Sequence, residues 1–207
     1  DKAVNPTSIM GSTKKCAESL VKYYQVNFET CSNYKVVRFG NVIGSSGSAL
    51  PIFINQIKKG GPLTITDKNM KRYFITIEEA AYLVLASITI ESKEDYLFLL
   101  DMGNEINIYE LAKKIIYQMG YTLKDENNKN GNIEIKIIGK KKGEKISEDL
   151  VSDYEKIEDT ELPKIKKIVE SKINIVDKKI IELALASNKH SLKEVKNIYN
   201  MLNKGIF

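Results

Sequence analysis

Residues 34–61, YKVVRFGNVIGSSGSALPIFINQIKKGG, decide how this chain reads. The run YKVVRFG is apolar and β-branched around a single arginine, the pattern of a buried strand. NVIGSSGS has the glycine and serine content of a loop. ALPIFINQIKK then repeats apolar residues at helical spacing and ends on Gly60-Gly61, a helix stop. Strand, loop and helix in that order make one step of an α/β fold.

The same pattern continues on both sides. Upstream, Asn5-Pro6 reads as a helix opening, with a capping side chain followed by proline at the first helical position. An apolar stripe at Ile9, Met10, Cys16, Ala17, Leu20, Val21 and Tyr24 carries that helix to the polar residues 29–33. Downstream, residues 63–66 form a short strand, and Phe74-Ile75-Thr76 leads into a helix over 77–90. YLFLLD (96–101) is another apolar strand. A helix from 108 to about 119 is stopped by Gly120. Residues 121–132 read as a flexible polar loop, IEIKIIG (133–139) as an alternating strand, and KKKGEK (140–145) as a basic turn. Beyond residue 150, charged amphipathic helices are expected at 162–170, 177–186 and 192–203. The reading is an α/β part over 1–150 with partly parallel pairing, and a helical extension over 151–207.

Composition narrows the function. The chain has 207 residues, 43% of them hydrophobic, enough for a sizeable core. No segment approaches the ~20 consecutive apolar residues that span a bilayer. Cys16 and Cys31 make neither a disulfide framework nor a zinc motif and fit a reducing, cytoplasmic setting. With one histidine, His190, a histidine triad or a histidine metal site is excluded. The net charge of +5 comes from 32 cations interleaved with 27 acids, without an aromatic–basic stripe, so nucleic acid is not the expected partner. Among those 32 cations only Arg38 and Arg72 are arginine. Where lysine is the default, an arginine marks a place that needs a planar fork. A doubly wound nucleotide-binding sheet opens on a glycine-rich phosphate turn. No G-x-G-x-x-G occurs here, so the sheet is expected to lack its first half.

Five stretches, DKAVNPTSIMGSTKK (1–15), VVRFGNVIGSSGSALPIF (36–53), GGPLTIT (60–66), KRYFITIEEA (71–80) and KKGEK (141–145), occur in one order. Together they resemble the C-terminal half of the nucleoside-diphosphate-sugar 4,6-dehydratases of the polysaccharide-biosynthesis (CapD-like) type. Those enzymes are extended short-chain dehydrogenase/reductases with a Rossmann-like fold. The resemblance implies an upstream NAD-binding half, NAD as cofactor and a UDP-sugar substrate, UDP-N-acetylglucosamine above others. It also implies a homo-oligomer, and membrane contact only through an upstream anchor.

The implied chemistry is a transient oxidation. With carbon 4 of the sugar oxidised by NAD⁺, the carbon-5 proton lies alpha to a ketone and a base can remove it. Asp1 is then the acid for the carbon-6 oxygen and Lys2 the base at carbon 5, which requires a protonated Asp1 and a neutral Lys2. Without the resemblance, the pair reads as a solvated ion pair. Met10 and Lys14 stand where the superfamily has Tyr-x-x-x-Lys. Met10 has no proton to exchange, and Lys14 is expected to hold the nicotinamide ribose. Phe39 is expected near the nicotinamide, and Asn41 at the diphosphate. Ser48 of the GSSGS loop and Pro51 of the following helix flank the UDP. Ile65 and Thr66 border the uracil, and Arg72 offers its fork to phosphate. Lys141 and Lys142 replace the family's Arg-Pro, making Lys141 a point charge, and Glu144 accepts from the ribose hydroxyls. Arg38 reads as structural, bonding carbonyls behind its strand. The alternatives are a UDP-sugar 4-epimerase of the same superfamily, or an inactive UDP-binding fragment.

Overall fold

The computed structural model describes residues 2–27, 33–91 and 96–170. These fold as two compact units between which the chain alternates. Unit 1 draws on Asp1–Phe39, Tyr82–Asp101 and Asp149–Phe207, and unit 2 on Gly40–Ala81 and Met102–Glu148.

In chain order the elements are α1 (Ile9–Asn27), β1 (Val36–Arg38), β2 (Asn41–Val42), α2 (Ala49–Lys58), β3 (Leu63–Ile65), β4 (Lys71–Arg72) and β5 (Phe74–Ile75). There follow α3 (Ile77–Ile88), β6 (Leu97–Leu100), β7 (Ile106–Asn107), α4 (Ile108–Gln118), β8 (Leu123–Lys124), β9 (Ile133–Ile137), β10 (Glu155–Asp159) and β11 (Ile165–Glu170). Pairing is mixed: β1 with β6, β2 with β5, β3 with β9 and β8 with β9 are parallel, while β10 with β11, β11 with β6 and β4 with β7 are antiparallel.

Unit 1 is a four-stranded sheet in the order β1-β6-β11-β10. β6 is fully buried, as a strand with apolar neighbours on both faces should be. Residues 162–170 were expected to be helical, and the structure corrects this. Ile165 and Ile168 are three apart and fit a helix stripe equally well, but both are buried in a strand that runs antiparallel to β6. β10 closes the sheet through cross-strand ion pairs, Lys166 to Asp159 at 2.5 Å and Lys167 to Glu158 at 3.1 Å. The helices expected at 177–186 and 192–203 lie outside the described residues.

The start of α1 differs from expectation too. Asn5 has φ +41 and does not cap the helix. Ser8 does, its Oγ accepting from Gly11 N at 3.1 Å while its carbonyl accepts from Ser12 N. Nor is the apolar stripe the buried face. Ile9, Met10, Ala17 and Tyr24 are exposed, while Ser12, Glu18 and Ser19 are buried.

The reason is a charge cluster on the inner face of the helix. Arg38 donates Nε to Glu18 at 2.8 Å and Nη2 to its second oxygen at 2.5 Å. Two more donor bonds reach Glu155 in β10, both at 2.8 Å, and one reaches the Leu150 carbonyl at 3.2 Å. Carbonyl bonding behind β1 was expected of Arg38. Two buried carboxylates are its main partners instead. Burial pushes the Glu18 carboxyl up, but the Arg38 hydrogen bonds and the charge of Lys15, 2.9 Å away, outweigh it and hold the group at about 2.

Because the folded value lies below the ordinary 4.5, this stabilisation is complete above pH 4.5 and lost as pH falls towards 2. Denaturant midpoints should drop across that window, and Glu18→Gln should flatten the drop.

Unit 2 packs α2 and α4 on the parallel sheet β3-β9-β8. Phe53 and Ile57 of α2 meet Leu63 and Ile65 of β3, and Ile108, Ala112, Ile115 and Ile116 of α4, in one buried cluster. Asn107 caps α4, accepting from Glu110 N at 3.0 Å. Gln56 clamps α2 to β3 twice, donating to Thr64 Oγ1 at 2.7 Å and accepting from Thr64 N at 2.9 Å. The expected loop over 121–132 is structured. It contains β8, buried Leu123, and an Asn132 side chain that accepts from both Thr122 N and Thr122 Oγ1. At Gly40 a Cβ would lie 2.8 Å from Tyr73 Cβ and 2.9 Å from its carbonyl oxygen, so only glycine lets β2 reach β5.

Candidate functional site

A cavity of about 470 Å³ opens in unit 2, between the loop after β2, the start of α2, the end of β3 and the turn at 141–144. Each wall follows from local chemistry. The loop folds as two tight turns, Ser45 N to Val42 O and Ser48 N to Ser45 O, with Gly44 and Gly47 at positive φ. It delivers Ser48 to the N-cap position of α2 with extended dihedrals, φ −72 and ψ 164. Ser48 makes no side-chain cap bond, and its buried Oγ has no hydrogen-bond partner. A buried hydroxyl at the positive end of a ten-residue helix is an unfilled polar site lining a cavity.

The opposite wall is a tied turn. Glu144 N donates to the Lys141 carbonyl at 3.0 Å, and the Glu144 carboxylate accepts from Lys141 N at 3.0 Å and from Thr66 Oγ1 at 3.1 Å. Arg72 holds the segment that follows. Its guanidinium donates to the carbonyls of Ile146 at 3.0 Å, Lys145 at 2.9 Å and Lys71 at 2.6 Å. Its Nε lies 3.3 Å from Glu148, and Glu144 is 4.0 Å from Nη2. Arg72 lines the cavity, yet most of its fork is spent on 144–148.

Of the eight residues expected at the UDP-sugar, Asn41, Ser48, Ile65, Thr66, Arg72, Lys141 and Glu144 line this cavity. Pro51 does not; it is exposed on α2, and its neighbours Ile52 and Phe53 form the wall. Asn41 is also a strand residue, paired with Phe74, and its side-chain amide reaches the Tyr73 carbonyl at 3.4 Å. Among the residues that escaped the sequence reading, three stand out. Ile138 lines the cavity just beyond β9, with its amide on the Ile65 carbonyl at 2.8 Å, and only the alternation of IEIKIIG pointed towards it. Met70, buried in the wall, lies in a polar turn without any signal. Glu148, the carboxylate facing Arg72, looked like one acid among many.

The described residues expected to do chemistry, Lys2, Met10, Lys14 and Phe39, belong to unit 1. Asp1 lies outside the described residues. Lys2 is half-buried in a turn that leads through buried Ala3 and Val4 to α1. Met10 and Lys14 stand exposed on one face of α1, four residues apart. Phe39, half-buried, ends unit 1 after β1.

The family model described as polysaccharide biosynthesis protein matches residues 1–170, and the chain belongs to that family. It is 42% identical over 167 residues to the probable polysaccharide biosynthesis protein EpsC of Bacillus subtilis (strain 168), covering 80% of this chain and 26% of the relative. It is 41% identical to the capsular polysaccharide biosynthesis protein CapD of Staphylococcus aureus, covering 75% of this chain and 24% of CapD. A UDP-glucose 4-epimerase of Rickettsia bellii (strain OSU 85-389) is 34% identical, over 75% of this chain and 42% of the epimerase. Among solved structures, Pen from Bacillus thuringiensis superposes with a TM-score of 0.65 at 32% identity, covering 83% of this chain and 51% of Pen. The fold is the α/β type of the short-chain dehydrogenase/reductases, and the chain spans between about a quarter and a half of the length of these relatives. No described helix is long and apolar enough to cross a membrane.

Proposed function

We propose that this chain is the sugar-nucleotide-holding and proton-transferring part of an NAD-dependent UDP-N-acetylhexosamine 4,6-dehydratase, with UDP-N-acetylglucosamine as substrate. The observation that carries the reading is the unit 2 cavity. An orphaned Ser48 hydroxyl at a helix N-terminus, with Arg72 and Lys141 also on the wall, suits a diphosphate. Beside these, the apolar side chains of Ile65 and Ile138 and the Thr66–Glu144 pair suit a uridine. The relatives' names, polysaccharide biosynthesis proteins and a UDP-glucose 4-epimerase, agree with a nucleotide-sugar substrate.

NAD, when bound, supplies reversible hydride transfer at the sugar ring. An exposed ammonium on a helix suits ribose hydroxyls, so Lys14 would hold the nicotinamide ribose, and the half-buried Phe39 ring suits the flat nicotinamide. Lys2 takes the proton from carbon 5, and Asp1 delivers one to the departing carbon-6 oxygen. Met10, without an exchangeable proton, does no acid–base work. The complete protein acts in the cytoplasm as a homo-oligomer.

The test is to incubate the complete protein with NAD⁺ and UDP-N-acetylglucosamine. A 4-keto-6-deoxy sugar nucleotide should accumulate. The carbon-4 epimer alone would move the assignment to a 4-epimerase, the second reading, which the Rickettsia relative favours. The Asp1-Lys2 pair argues for dehydration, since a 4-epimerase needs no acid at carbon 6.

A further inference from the structure

We propose that Gly11 is a positioning residue that seats the turn carrying Lys2 on α1, an inference that rests on the dehydratase reading above. Glycine is a poor choice for the third residue of a helix, costing about 1 kcal/mol against alanine. Nothing in the backbone demands it, because Gly11 is not among the glycines at positive φ. The reason is space. A Cβ at position 11 would lie 2.5 Å from the Lys2 carbonyl oxygen, 3.1 Å from Pro6 Cβ and 3.4 Å from Ser8 Oγ. The carbonyl belongs to the backbone, so it cannot swing aside as a flexible side chain would.

The turn is held on its other sides as well. Ala3 and Val4 are buried to 7% and 1% exposure. Asn5 bends the chain at φ +41, and Ser8 fixes the helix start by accepting from Gly11 N. The backbone of Lys2 therefore rests directly on the helix that carries Met10 and Lys14, in the space a side chain at position 11 would fill. A methyl group there moves the Lys2 carbonyl by most of an ångström, and with it the base. Misplacement on that scale costs roughly a hundredfold in rate when the displaced groups do the chemistry.

The experiment compares the complete wild-type protein with Gly11→Ala, which crowds the turn, and Val4→Ala, which removes a buried side chain that anchors it. With NAD⁺ and UDP-N-acetylglucosamine, Gly11→Ala should lower kcat roughly a hundredfold. KM and UDP affinity should stay within about twofold, because no group of the unit 2 cavity is altered. A residue that mattered only to helix stability would do the reverse: alanine would raise the unfolding midpoint and leave kcat alone. An unchanged kcat, or a KM rise that accounts for the loss, overturns the proposal. If Gly11→Ala does not fold, Val4→Ala decides by the same split between kcat and KM. Amide exchange over residues 2–4 gives a readout independent of turnover and should quicken at least tenfold in the variants. Should the wild type form no keto sugar, the dehydratase reading falls by itself, and unchanged exchange in the variants would still overturn the seating.

Discussion

Arg38→Ala is expected to destabilise unit 1 by about 3–5 kcal/mol, a large share of the roughly 5–15 kcal/mol that holds an ordinary domain folded. The size follows from what remains behind. Arg38 is 3% exposed, and Glu18 and Glu155 are 6% and 7% exposed. Removing the guanidinium strands two carboxylates out of water, and Lys15 is left to neutralise only Glu18. Burial opposes the charge on Arg38, but its hydrogen bonds to Glu18 and Glu155 outweigh that and raise its pKa further, so it stays charged at any working pH. Arg38→Lys should recover little, since an ammonium cannot give two carboxylates paired bonds at once. Thermal and denaturant unfolding of the variants checks this. An Arg38→Ala midpoint close to wild type would mean that the cluster is no better than an apolar substitute. Replacing all three with apolar residues of similar volume is the informative contrast, because it removes the charges together.

The second large effect is on binding. Arg72→Ala should weaken UDP affinity about 10- to 100-fold, measured by calorimetry. Two losses combine: a cation leaves the cavity wall, and the segment 144–148 loses its bonds through the Lys145 and Ile146 carbonyls and Glu148. Hydrogen bonds involving a charged partner contribute about 1.5–3 kcal/mol each, so even a partial loss reaches that range. Arg72→Lys separates the two contributions. It keeps the positive charge but cannot reproduce the fork, so most of the loss should persist. Wild-type affinity in Arg72→Lys would reduce the role of Arg72 to charge alone and remove the reason for an arginine here.

Some of this molecule was legible because local signals were strong. α2 ends where Gly60 and Gly61 take φ of 86 and 83, and α4 ends before Gly120 at φ 81, so both helices could be read from punctuation. Strands β3, β6 and β9 were legible as apolar or alternating runs. β10 and β11 were not. Lysine and glutamate fill them, and two isoleucines three apart suit a helix face as well as a strand. Hydrogen bonding to β6, some sixty residues upstream along the chain, settles the matter, and no local pattern encodes a non-local ladder. The first helix misled in another way. Its apolar side chains look like a core stripe, but a buried arginine draws Glu18 and the serines on its face inward instead.

The sequence by itself determined the α/β class, the order of most elements, the family resemblance and seven of the residues that line the unit 2 cavity. The class and element order follow from periodicity and helix punctuation, and the seven residues follow from the family resemblance that the motifs carry. Only the tertiary structure decided which partner each charged group takes. It turned Arg38 to two carboxylates, spent the Arg72 fork on the 144–148 segment, left Ser48 Oγ buried without a partner and set the Lys2 carbonyl against Gly11. Each depends on the position of a residue distant in sequence or on close packing across a turn, and electrostatics and excluded volume act through space rather than along the chain.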